Sequence, residues 1–335
     1  MRRLRRPQVL LPTLRAAGPG ARKAEEHRQI KERDPDAELA FRDHWNRPDV
    51  RGALYAMHGG VCAYCNAGIE PDRGDVDHFR PKSPSRDGSH RGYWWLAYEL
   101  GNYFLACRTC NQQRKQEHFP LEPGAIRTEY ATRAGTGAER RLLIDPGVDP
   151  VEEWLKVDCL DEAQACPVTM RPSCSSDALA PKRVATTIDF FRINQDVRLI
   201  RARVRAREDA TERLDAYRRE PSGARREALC RRASRFHSQG MTVRAFLEDF
   251  APDIAPPSPE EELRWLLEEL GALLLHDVQC ADRDETCRRQ AEEIQWALAV
   301  LWKDPPTGTP TQVEQWLDET GWRTSVEPIY RHLHP

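Results

Sequence analysis

Cys62-Ala-Tyr-Cys65, then Val76-Asp-His-Phe79, then Asn102-Tyr-Phe-Leu-Ala-Cys107-Arg-Thr-Cys110-Asn-Gln-Gln-Arg-Lys115 are the stretches on which the fold turns. Each C-x2-C pair puts two thiolates on one turn, half of a tetrahedral four-thiolate site, and the second pair completes it. Two pairs separated by 41 residues predict a structural zinc on Cys62, Cys65, Cys107 and Cys110. A redox C-x-x-C needs only one pair and a thioredoxin-like setting. Between the pairs, Val76-Asp-His reads as the end of a strand and Asn102-Tyr-Phe-Leu-Ala as the opening of a second. Cys110-Asn-Gln-Gln-Arg-Lys115 reads as a helix start. The resulting order is knuckle, strand ending in Asp77-His78, strand, knuckle, helix carrying Asn111.

Outward from this centre the 335 residues are highly charged, with 31% charged and 39% hydrophobic side chains. Mean hydropathy is −0.73, and no segment approaches the ~18 uninterrupted apolar residues of a membrane span. Met1-Arg-Arg-Leu-Arg-Arg6 is followed by only Val9-Leu-Leu-Pro12 before polar sequence returns, too short for a signal peptide. The expected setting is a reducing compartment, the cytoplasm, where ten cysteines read as metal ligands and buried thiols rather than disulfides. Cys159, Cys166 and Cys174 lack a neighbouring His, and Cys280 and Cys287 stand seven apart, too far for a disulfide along a helix.

The formal charge of −2 hides a partition. Residues 1–33 carry net +7, residues 192–235 carry fourteen Arg and net +7, and residues 248–320 carry net −13. Basic segments suit a polyphosphate partner, and an acidic one is repelled by it. The chain divides into a basic N-terminal arm (1–35), a helical lead-in with the cysteine region (36–122), a loop-rich connector (123–182), an Arg-rich helical region (183–250) and an acidic helical module (251–335). In the connector, strands are expected near Leu142–Ile144 and Trp154–Val157. Ser258 with Glu261 three residues on, and Pro259 between them, marks a helix start.

The central order resembles the HNH endonuclease domain, the ββα-metal finger, in its zinc-stapled form. Asp77-His78 match the first element, Asn102 the middle Asn and Asn111 the third. Cys-Ala-Tyr-Cys65, Val-Asp-His-Phe-Arg-Pro-Lys82, Tyr-Trp-Trp-Leu-Ala-Tyr98, Phe119-Pro-Leu121 and Thr187-Ile-Asp-Phe-Phe-Arg-Ile-Asn194 resemble the HNH subunit of Septu-type and retron-associated antiphage systems. The family usually places a Lys three residues after the third-element Asn; here Arg114 stands there and Lys115 follows. His118 is thereby drawn in as a further candidate metal ligand or phosphate contact.

The resemblance implies an α+β, mostly helical fold, with a small zinc-stapled ββα-metal (HNH, treble-clef-like) finger embedded among helices and a C-terminal helical module. It also implies phosphodiester hydrolysis. Asp77 and Asn111 then offer hard oxygen ligands to a catalytic Mg2+ or Mn2+. His78, on the opposite face of the strand, is left free to act as general base. Asn102 holds the loop that carries His78. Arg80, Lys82, Arg114 and Lys115 are candidate phosphate contacts, and Tyr93-Trp-Trp95 is expected to pack the insertion onto the finger rather than stack on bases. The implied partners are nucleic acid, DNA ahead of RNA, and an ABC-type ATPase subunit of the same system, with no membrane. The alternative is a catalytically silent zinc-finger adaptor that binds nucleic acid or a protein.

Overall fold

A computed structural model describes residue 1 and residues 11–70, 73–86, 88, 90–131, 139–158, 169–173, 177–234, 236–258, 261–262, 264–270, 273 and 285–301. Cys159, Cys166, Cys174, Cys280, His276, His332 and His334 lie outside the described residues. The protein is mostly helical, with two small two-stranded sheets.

The arm is anchored. Thr13 gives its backbone N–H and its hydroxyl to the two oxygens of Asp49, at 2.8 and 2.7 Å, and α1 (Pro19–Arg33) follows. Helix α2 (Pro48–His58) starts on a proline at N1 and ends at Gly59, whose φ of 58° is the left-handed conformation that stops a helix. Residues 49–58 are buried all round, as expected of a helix covered on more than one face.

The second cover is α8 (Glu285–Leu301), which brings Ile294, Ala297 and Leu298 into the core. A Cβ on Gly52 would collide with the Glu293 carbonyl and with Trp296, so glycine is what lets these helices approach. Arg51 forms a buried ion pair with Glu293 at 2.5 Å and donates to the Gly74 carbonyl at 2.8 Å.

Strands β1 (Asp75–His78) and β2 (Tyr103–Ala106) pair antiparallel, with Asp77 opposite Phe104 and His78 opposite Tyr103. A π-helix (Thr109–Lys115) follows. After α3 (Val151–Trp154), β3 (Leu155–Asp158) pairs with β4 (Thr169–Pro172). Residues 142–144, read as a strand, contribute only a bridge next to them, Leu121 with Arg141. Leu143 and Ile144 are buried, so their apolar character serves core packing without a ladder.

Helices α4 (Ala180–Phe190), α5 (Val197–Arg219), α6 (Gly223–Arg232) and α7 (Gly240–Phe250) complete the Arg-rich region. The capping box forms: Glu261 N donates to Ser258 Oγ at 3.1 Å, and Ser258 N to the Glu261 carboxylate at 2.8 Å. Helical residues 264–270 then lie against α6, with Trp265 Nε1 donating to Glu227 at 2.8 Å and Arg231 paired with Glu268. Leu266, Leu267 and Leu270 are buried. Among the described residues of the acidic module, these leucines are therefore covered by the protein's own chain. No helix among the described residues is long and apolar enough to cross a membrane.

Candidate functional site

The four sulfurs of Cys62, Cys65, Cys107 and Cys110 lie within 4.8 Å of one another, with Cys65 and Cys107 3.8 Å apart. Zinc–sulfur bonds of ~2.3 Å set tetrahedral sulfur–sulfur edges of about 3.8 Å, so the cluster fits that ion. The first knuckle is closed by Asn66, at φ 59°, whose N–H donates to the Cys62 carbonyl at 3.0 Å. In the second, Asn111 N donates to the Cys107 carbonyl, also at 3.0 Å. Cys107 N donates to Cys62 Sγ at 3.3 Å, a bond that favours sulfur as thiolate.

Because strand side chains alternate, Asp75 and Asp77 share one face of β1, and the π-helix lies against that face. Asn111 Nδ2 donates to Asp75 Oδ2 at 3.1 Å. Lys115 Nζ donates to Asp77 Oδ1 at 3.0 Å and to the His78 carbonyl at 2.7 Å. Tyr64, from the first knuckle, gives its hydroxyl to Asp77 Oδ2. Lys115 is fully buried. Two strand residues span about 6.6 Å, close enough to one helical turn for both rungs to form.

The extra residue between Asn111 and its lysine is absorbed as a wide turn. Gln116 N reaches back five residues to the Asn111 carbonyl at 2.7 Å. Lys115 consequently meets Asp77, while Arg114 turns away to Asp196 and the Phe191 carbonyl. His118 lies beyond this helix with its ring edge-on to Phe190 at 6.4 Å.

His78 faces the other way. Its Nε2 is 3.0 Å from the Ala97 carbonyl, which can only accept, so Nε2 carries the proton and Nδ1 is the ring's acceptor. Tyr103 donates to the same carbonyl at 2.5 Å. Trp45 and Tyr103 stand edge-on to the imidazole at 4.8 and 5.0 Å. Burial, helped by the Lys82 charge, pulls the His78 pKa down to about 3. Asn102 braces the neighbouring loop: its Oδ1 accepts from Arg80 N at 2.8 Å, and its Nδ2 donates to the Arg80 and Leu96 carbonyls at 2.9 and 3.2 Å.

The structure thus brings Asp77, His78, Asn102, Asn111 and Lys115 to one hairpin and the helix behind it. The remaining basic residues are engaged at its rim. Arg80 pairs with the buried Glu139 at 2.8 Å, and Lys82 stands over the Trp45 ring at 4.7 Å. Sequence reading passed over Tyr64, Asp75, Trp45 and Glu139. Tyr64 and Asp75 had a signal, since one lies inside the first knuckle and the other is Asp77's strand-alternation partner. Trp45 and Glu139 had none.

Among known proteins, the chain is 31% identical to Septu protein PtuB of Bacillus mycoides (strain KBAB4) over 113 residues, 32% of this chain and 38% of that one. It is 30% identical to "Retron Vc95 putative HNH endonuclease" of Vibrio cholerae serotype O1 biovar El Tor over 81 residues, 22% of this chain and 37% of that one. The chain therefore spans less than two fifths of either relative. Both support an HNH-type, Septu- and retron-associated family. No protein-family model matches the chain, and no solved structure does.

Proposed function

We propose that this chain is an HNH-type, metal-dependent endonuclease built on a ββα-metal finger. It would act as the nuclease subunit of an antiphage defence complex with an ABC-type ATPase. The observation that carries the reading is the geometry of His78: its Nε2–H is tied to the Ala97 carbonyl, which leaves Nδ1 as the ring's acceptor, the orientation a general base needs. The names of the two relatives agree with it.

In this reading His78 Nδ1 takes a proton from the attacking water, a P–O bond forms, and the 3′-oxygen leaves. Asn102 is a positioning residue that keeps the loop after His78 in register. Asp77 and Asn111, with Asp75 beside them, are hard oxygen donors that would hold Mg2+ or Mn2+. Such an ion supplies Lewis-acid stabilisation of the phosphoryl oxygens. Zinc on the four cysteines staples the finger. Arg80 and Lys82 are the proposed phosphate contacts, since Arg114 and Lys115, expected to share that role, are committed to Asp196 and Asp77; DNA is favoured over RNA.

One observation favours a second reading, a silent zinc adaptor. Asp77, His78, Asn102 and Lys115 are all buried, and both Asp77 oxygens already accept hydrogen bonds from within the chain. Cleavage of plasmid DNA, single-stranded DNA and RNA with Mg2+ or Mn2+, with and without the ATPase, separates the two. The nuclease reading expects His78→Ala to keep its zinc and lose about two to four orders of magnitude in rate. Wild-type cutting by that variant would refute the base assignment, and no cutting under any condition would leave the adaptor.

A further inference from the structure

A cavity of about 790 Å³ opens between α1, the turn at Trp94–Leu96 and the loop leading into β2. Of the three aromatics at 93–95, Tyr93 is the one fully buried, and Trp95 packs partly against the core beside it. Tyr93 is edge-on to Phe119 at 5.5 Å, and its hydroxyl donates to Glu139 at 2.7 Å. Trp94 and Trp95 are partly buried, and both line the cavity with Tyr130. Trp94 and Tyr130 have ring centroids 4.5 Å apart. The part of these rings left accessible faces the cavity, where a flat partner can cover it.

The polar lining is equally selective. Arg15 and Glu99 both line the cavity, and neither forms an ion pair among the described residues. The arm that supplies Arg15 belongs to the net +7 segment, residues 1–33. The cavity also adjoins the hairpin. Asn102 is part of its wall, and Ala97, whose carbonyl receives the His78 proton, sits between the lining residues Leu96 and Tyr98.

We propose that this cavity binds one unpaired nucleotide of a single-stranded nucleic acid running past the hairpin. The base stacks on Trp94, with Trp95 and Tyr130 bounding it, its phosphate meets Arg15, and Glu99 accepts from an N–H on the base edge. A duplex hides its base faces in the helical stack, so only an unpaired base can use these rings. An anionic strand also suits the basic arm. The proposal deepens the nuclease reading, on which its purpose rests, by giving the substrate class as single-stranded or locally opened.

The test is fluorescence anisotropy with full-length, zinc-loaded His78→Ala protein and labelled 12-mers: single-stranded DNA, single-stranded RNA and duplex DNA of one sequence. At least one single strand is expected to bind ten-fold or more tightly than the duplex. Adding Trp94→Ala should cost about ten-fold, as base–aromatic stacking does, and Trp94→Phe should recover most of it. Arg15→Ala should lower the slope of log Kd against log salt by about 0.7, one phosphate contact on a single strand. Abasic substitutions walked along the strand should find one position that costs as much as Trp94→Ala and costs nothing further in that variant. Duplex binding as tight as single-strand binding would overturn the proposal, and so would no effect of any abasic position. Cleavage by protein with His78 intact is read separately. Binding without cutting refutes the nuclease reading alone, and cutting without single-strand preference refutes the cavity alone.

Discussion

His78 is a histidine kept from its proton by its surroundings. Its folded pKa of about 3 lies below the ordinary value of 6.5, because burial and the Lys82 ammonium both oppose an imidazolium. Above pH 6.5 the ring is neutral folded and unfolded, and contributes no pH dependence. Between pH 6.5 and 3 the unfolded chain takes the proton and the folded chain does not, so acidification lowers stability by up to ~1.4 kcal/mol per pH unit. The difference in denaturant stability between wild type and His78→Ala, followed from pH 7.5 to pH 5, should therefore shrink as pH falls. A constant difference would mean that His78 titrates normally. Under the nuclease reading, His78 stays neutral well below pH 6.5, so any loss of cutting on acidification belongs to other groups.

At the scale of elements, the π-helix is what joins the two knuckles to the hairpin. Lys115 is a buried cation with a buried carboxylate partner, and removing one member of such a pair costs about 3–5 kcal/mol. Lys115→Ala should lower the melting temperature accordingly, whereas Gln112→Ala, exposed on the same element, should leave it unchanged. A Lys115→Ala protein as stable as wild type would remove the Asp77 brace from the account. The zinc staple gives a parallel prediction. Four thiolates leave no open coordination position, so about one zinc per chain is expected by elemental analysis. Cys107→Ser should lose that ion together with folding cooperativity and solubility. Well-folded protein without zinc would contradict it.

Across the whole molecule, the described helices of the acidic module are part of the body that carries the hairpin. Helix α8 covers α2, α2 leads into the first knuckle, and His58 at its end accepts from Leu105 N of β2 at 3.2 Å. Gly52→Ala should force α2 and α8 apart and lower thermal stability, with excess 1-anilinonaphthalene-8-sulfonate binding as the sign of exposed core. Gly223→Ala, at a helix start with open space around it, is the control. It should be neutral or stabilising by about 0.4–1 kcal/mol. A chain ending at Ala251 lacks α8 and should aggregate. Loss of ATPase binding by that fragment would therefore report unfolding, and charge reversal of exposed Arg288 is the cleaner probe of any interface there.

What the amino-acid sequence determined by itself is local or short in period. Two C-x2-C turns set a four-sulfur cluster, alternating strand residues separated Asp77 from His78, and the pattern Ser258-x-x-Glu261 formed its capping box. The turns, the alternation and the capping box depend on backbone geometry over a few residues, and the shared metal chemistry of the two turns is what brings the distant pairs together. Only the tertiary structure decided that Arg51 meets Glu293, 242 residues away. It also decided that Lys115 rather than Arg114 reaches Asp77, and that Trp94 and Trp95 stay partly accessible while Tyr93 is buried. Each of these turns on which surface a distant segment covers, and hydrophobic burial is non-directional: it rewards covering apolar area without specifying what covers it.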